Sequence, residues 1–185
     1  MADFIAVFAS AAQQLLNGDP LLWHIVGVSF TVSLSAILLA LIPALLIGFS
    51  LAYYHFPGRW AMISLVNSLL AIPTVVVGLL LYLLLSHSGP LGDLRLLFTR
   101  PAMVIGQILL CFPLLVAMSL VAFQAADQRV LETARTLGAT HLQAFLTLLH
   151  EVRFGLMAAI IAGFGRIIAE VGCSMMVGGN ILYHT

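Results

Sequence analysis

The sequence predicts an all-α membrane protein, a polytopic helical bundle of about four spans. Three observations carry this reading. The 185 residues are 62% hydrophobic and 8% charged, with a mean hydropathy of +1.14, whereas soluble domains carry about 25% charged residues. Four apolar stretches each approach or exceed the roughly 20 residues that a helix needs to cross a bilayer. Between the third and the fourth lies one polar island, residues 127–153, with three of the chain's seven basic and three of its seven acidic residues.

Residues 1–22 read as an interfacial amphipathic helix and its exit. Phe4, Phe8, Ala11, Ala12, Leu15 and Leu16 share one helical face, and Asp3, Ser10, Gln13, Gln14 and Asn17 share the other. Asn17-Gly18-Asp19-Pro20 ends that helix and starts the next, with Asp19 as N-cap and Pro20 at the first helical position. No basic n-region precedes the apolar residues, so no cleavable signal is expected.

The core, residues 23–181, divides into four expected spans: 23–53, 61–85, 102–123 and 154–177. The first is over-long, so tilt or protrusion is expected, and Pro43, Pro73 and Pro113 are expected kinks inside the first three. Trp23, Tyr53 and Tyr54 stand where interfacial anchors stand. Arg59, Arg129, Arg135 and Arg153 fall on one side of the bilayer, Arg95 and Arg100 on the other. The positive-inside rule places the first group, and with it the polar island, in the cytoplasm and the N-terminus outside.

The island reads as a helical hairpin. Asp127 is placed to cap a first helix, with Val130, Ala134 and Leu137 as its apolar stripe and Leu131 beside it. Gly138 supplies a left-handed C′ position, and Thr140 with Gln143 forms a capping box. Leu142, Phe145, Leu146 and Leu149 then recur at helical spacing. Such a hairpin either packs flat on the membrane surface or docks on a soluble partner.

Every basic residue is arginine; the absence of lysine excludes a P-loop, whose lysine reaches the nucleotide phosphates. No catalytic residue and no metal set is expected. His150-Glu151 would need a second histidine at 154, where Phe154 stands. Cys111 and Cys173 sit in apolar runs as small hydrophobes. Arg166 and Glu170 are four apart in the fourth stretch and are expected to pair, because a lone charge at the bilayer centre costs at least about 2.5 kcal/mol. Such a pair serves as a gate or subunit-contact element, or as a structural ion pair near the surface. Gly163 and Gly165 suit close helix contact.

Glu132-Thr133-Ala134, three residues, then Gly138 resembles the EAA loop of ABC-importer permeases. Leu148 takes that motif's Ile place, Thr133 replaces its first Ala, and His150 and Glu151 stand in place of its Leu-Pro. Ile72-Pro-Thr-Val-Val-Val-Gly-Leu-Leu-Leu-Tyr-Leu83, Gly89-Pro-Leu-Gly92, Ala102-Met-Val-Ile-Gly-Gln107 and the segment from Arg166 to Ile181 are similar to the tungstate and molybdate permeases. The resemblance covers most of residues 20–181 and implies a bundle of the type I ABC importer permease class. It implies an inner-membrane homodimer, two cytoplasmic ABC ATPases that hold ATP and Mg, a periplasmic binding protein, no cofactor on this chain and no nucleic acid. It places ATPase coupling on Glu132, Ala134, Arg135, Gly138, Leu142 and Phe145. The cargo it implies is tungstate or molybdate, with sulfate or another anion as the alternative. A secondary transporter or channel would instead carry repeats and more polar spans. The family pattern continues into a further helix, so the tail 182–185 is expected to mark a truncated chain that assembles poorly.

Overall fold

The computed structural model describes residues 20–127 and 129–179. The expected amphipathic helix, the Asp19 cap and the tail lie outside them. Eight α-helices are formed among the described residues, and no strand. In chain order they are α1 (Pro20–Tyr53), α2 (Arg59–Leu70), α3 (Thr74–Leu85), α4 (Arg100–Ala125), α5 (Arg129–Thr136), α6 (His141–Glu151), α7 (Arg153–Ile168) and α8 (Gly172–Gly178). A single 3-10 turn, Gly92–Leu94, lies in the connection before α4.

Helices α1 and α4 are each long and apolar enough to cross a membrane. With 34 residues, α1 is about 51 Å long, well beyond a hydrocarbon core of about 30 Å, as the over-long stretch predicts. Pro43 and Pro113 both lie inside unbroken helices. Pro73 does not. The expected second span is two helices, α2 and α3, bent by 96°. Pro73 is the N-cap of α3, at ψ 132°, and a proline pushes the residue before it away from helical geometry.

The expected fourth span is also interrupted. Helix α7 has 16 residues and ends at Ile168; Ala169, Glu170 and Val171 are non-helical, and α8 follows. At its other end α7 meets α6 across a 70° bend at Val152. By length and composition the described residues hold two spans, or up to four if each bent pair counts as one.

Helix α4 is the centre. Its buried residues, among them Ala102, Gly106, Leu110, Cys111, Leu115, Val116, Ser119 and Phe123, point to every side, as expected of a helix enclosed by others. Helix α1 meets it along Ala36, Ala40, Ala44 and Gly48, buried small residues at strict four-residue spacing. This seam lets the backbones approach closely, the contact that drives helix association where lipid removes the hydrophobic difference. A β-carbon at Gly48 would lie 2.8 Å from the Ser119 Cβ and 3.1 Å from the Leu120 nitrogen. Helix α7 runs antiparallel to α4, with Gly155 against Ala122 and Gly163 against Leu115.

The two interruptions meet. A β-carbon at Gly172 would lie 3.1 Å from the Val75 Cγ2 and 3.9 Å from the Thr74 Oγ1. From that point α3 and α8 run together, and a β-carbon at Gly78 would lie 2.9 Å from the Cys173 Cα. The far end of α8 is tied to the connecting loop, where the Phe98 N–H donates to the Val177 carbonyl at 2.9 Å.

Gly48→Val should destabilise the bundle by about 1–3 kcal/mol, the usual cost of overpacking. Gly27→Val, on the same helix but with nothing within 4 Å of the new β-carbon, should change little. Thermal unfolding of both variants in detergent separates them, and equal midpoints would refute the seam.

Candidate functional site

The polar island folds as two short helices held by local capping bonds at the start of each and at the turn between them. At its start, the Asp127 Oδ1 accepts from the Arg129 N–H at 2.9 Å and the Asp127 carbonyl accepts from the Val130 N–H at 3.0 Å. Helix α5 closes in a Schellman motif. The Gly138 N–H donates to the Arg135 carbonyl and the Ala139 N–H to the Ala134 carbonyl, both at 3.0 Å. Gly138 stands at φ +87° with nothing within 4 Å of a β-carbon, so conformation alone, not space, demands glycine there. Helix α6 opens with the expected capping box. The Gln143 Oε1 accepts from the Thr140 N–H at 2.8 Å, and the Thr140 Oγ1 from the Gln143 N–H at 3.3 Å.

The hairpin has two distinct faces. Leu131, Ala144, Leu148 and Val152 are buried in one cluster with Ala122 and Phe123 of α4 and Leu156 of α7, and Phe49 of α1 packs on it. Phe49 is the hub: its ring is 4.9 Å from that of Phe145 and 5.6 Å from that of Phe123, both edge-on. The opposite face carries Leu137 at 82% exposure and Leu142 at 67%, with Leu146, Glu132, Thr133 and Arg135 also exposed. Between the helices runs a shallow groove of ≈ 540 Å³, lined by Val130, Ala134, Leu137 and Ala139, with Asp127 and Arg129 among its polar lining. The Arg135 guanidinium is 3.4 Å from the His141 Nδ1.

The site residues therefore divide. Glu132, Arg135, Gly138 and Leu142 are outward; Ala134 is half-buried, and Phe145 is turned to the bundle. On α5 the buried residue is Leu131, while Leu137 of the expected stripe is open. Eight residues make barely two turns, so the side that faces the bundle is set by the exit angle from α4.

Arg166 and Glu170 do not form the expected pair. Helix α7 ends between them, and the Glu170 Oε1 instead accepts from the Cys173 N–H at 3.0 Å, satisfying a free donor at the start of α8. Arg166 is exposed on the last turn of α7, where a cation complements the helix dipole. Gly163 makes its close contact, while Gly165 has open space around it. Three polar side chains to which the sequence assigns no role, Ser33, Gln107 and Ser119, are buried among the described residues. Gln107 is 4% exposed on α4, and its Oε1 has no hydrogen-bond partner among the described residues; an amide in an otherwise apolar span was the available signal.

Thr140→Ala should cost about 1 kcal/mol, the value of an N-cap. Hydrogen exchange of the first-turn amides of α6 should accelerate about fivefold, with α1 and α4 unchanged. Uniform acceleration through the bundle would contradict a locally capped hairpin.

The comparisons with known proteins agree with this architecture. The sequence profile of the family described as "binding-protein-dependent transport system inner membrane component" matches residues 44–181. A probable anion ABC transporter permease protein of Haloferax volcanii is 39% identical over 86% of this chain and 68% of its own length. The tungstate uptake system permease proteins TupB of Peptoclostridium acidaminophilum and Campylobacter jejuni are 34% and 35% identical, each over 96% of this chain and 78% and 74% of their own lengths. The profile covers more than half of the chain, and the relatives align along most of it, so the chain belongs to the family of binding-protein-dependent transport system inner membrane components, the ABC transporter permeases.

Proposed function

We propose that this chain is the membrane-spanning subunit of an ATP-driven importer of a tetrahedral oxyanion, tungstate or molybdate, working as a homodimer with two ATPases and an external binding protein. The observation that carries the reading is the two-faced hairpin. Its inner face is bolted to α1 and α4 through Phe145, Phe49 and Phe123, and its outer face offers Leu137, Leu142 and Leu146 to solvent. A doubly capped element of this kind transmits displacement instead of absorbing it. The ATPase would seat on Leu142 and Leu146, with Glu132 and Arg135 at the rim. Motion would enter the bundle through Phe145. ATP and Mg belong to the ATPase; this chain does no chemistry of its own.

The likeness to tungstate permeases supports the cargo. The meeting point of the two helix interruptions, Thr74 with Gly172 and Glu170, supports a gate there. Irregular backbone at membrane depth is tolerated where it is enclosed by protein or lines a water-filled path. A secondary transporter or channel would work without the ATPase, and a sulfate permease would accept sulfate in place of the heavier dianions.

Reconstitution with the cognate ATPase and binding protein tests the proposal. Tungstate uptake should require ATP, and uptake that persists without the ATPase would refute it. The two faces of α6 should separate kinetically. Leu142→Glu should abolish ATPase binding and lower uptake at least about tenfold, because a charge is forced into an apolar contact worth more than about 1.4 kcal/mol. Phe145→Ala should leave the ATPase bound and hydrolysing while uptake falls. Loss of ATPase binding in Phe145→Ala, or none in Leu142→Glu, would reverse the assignment of the faces.

The orientation is open to a direct check. In a background with Cys111 and Cys173 replaced, Gln143→Cys should react with a membrane-impermeant maleimide only after the cells are opened. Labelling in intact cells would place the hairpin outside and exclude an ATPase partner.

A further inference from the structure

The elbow between α6 and α7 carries a basic pair that the transport reading does not use. Arg153, the first residue of α7, and His150, one turn earlier on α6, are both exposed and bonded to each other. The Arg153 guanidinium lies over the Phe154 ring, 4.8 Å from its centroid. Among the described residues no carboxylate lies within ion-pair distance of Arg153; the adjacent Glu151 is exposed but not bonded to it. A guanidinium stacked on an aromatic face keeps its edge donors free, in the fork that matches a phosphate.

Directly beyond the pair the surface becomes apolar. Arg153, Met157 and Ile161 follow at four-residue spacing along α7, with Phe154 beside them. Phe154 is 70% exposed and Ile161 68%. Helix α7 turns away from α6 by 70° and opens the apolar stretch 154–177. The elbow thus sits where chain polarity changes from the island to the bundle, which is the level of lipid headgroups. A cationic head continued by an apolar stem is complementary to a phosphodiester continued by an acyl chain, and to neither a free anion nor an acidic peptide as a whole.

We propose that the α6–α7 elbow binds an anionic phospholipid, with Arg153 and His150 holding its phosphate and Phe154, Met157 and Ile161 lying along an acyl chain. His150 accepts from Arg153 at Nε2, which leaves its Nδ1–H to donate, and Arg153 keeps several donors beyond the one it shares with His150. A lipid seated there braces α6 against α7 at the hinge of the hairpin. The inference rests on the chain lying in a bilayer, not on its cargo or its ATPase.

The test is lipid retention, read by native mass spectrometry on the full-length chain released from vesicles of phosphatidylcholine with or without phosphatidylglycerol. The wild type should keep phosphatidylglycerol in preference to phosphatidylcholine. Arg153→Gln should weaken that preference about fivefold, the effect of one cationic side chain near a charged membrane surface, and Arg153→Lys should restore most of it. Met157→Ser, which leaves Arg153 and His150 in place, should also reduce retention. Arg95→Gln, at an exposed arginine far along the chain, should not. Equal retention by the wild type and Arg153→Gln overturns the proposal. Displacement of the lipid by inorganic phosphate would make this a free-anion site. Loss of the lipid on adding the ATPase would make the elbow a protein contact, and either result overturns it too. Because the readout is lipid and not uptake, failure here leaves the transport reading standing, and the reverse holds as well.

Discussion

Close approach between α1 and α4 is the constraint on which the rest of the bundle depends. In a bilayer, burying leucine gains little, because lipid is as apolar as the protein interior. Association has to come from packing, and packing is densest where the backbones themselves touch. Ala36, Ala40, Ala44 and Gly48 provide that line against Cys111, Leu115, Val116 and Ser119. With α1 seated, α4 becomes the central post, and α7 uses glycines at 155 and 163 to reach its other side. Bulky residues such as Leu38, Leu39 and Ile42 are left outside, where they cost nothing against acyl chains.

The hairpin inherits its position from that post. Helix α4 ends at Ala125, Asp127 starts α5 after a single turn of direction, and the Phe49–Phe123–Phe145 set closes over the exit. Local capping makes the hairpin stiff, and the aromatic set makes it part of the bundle. Those are separate properties. A capped hairpin without Phe145 would hold its shape but slip against α1; an anchored hairpin without Gly138 would have to strain its turn.

The interruptions at Pro73 and Glu170 are one feature shared by two segments of the chain. Each ends a helix at the level where Thr74 and Gly172 meet, and α3 and α8 then continue as a pair held by the Gly78–Cys173 contact. Glu170 is held by the backbone of α8 and not by Arg166. A carboxylate that satisfies a helix start is spared the full cost of an isolated charge, which explains how an acid is tolerated in so apolar a segment.

Much was legible in the linear sequence because it is governed by local physics. The Asp127 cap, the left-handed Gly138 and the Thr140–Gln143 box depend only on residues within a few positions of one another, and the structure forms each of the three. What depended on neighbours was not legible. Three prolines look alike in sequence, yet Pro43 and Pro113 sit in continuous helices and Pro73 does not. The difference lies in what the surrounding helices re-satisfy or exploit. Arg166 and Glu170 have the spacing of an ion pair on a helix that stops between them. Leu137 and Phe145 both read as apolar edge, and only the exit angle from α4 turned one to solvent and the other to Phe49. Periodicity states that a helix has an apolar side; packing decides which side it is, because that choice is made by helices far away in the chain.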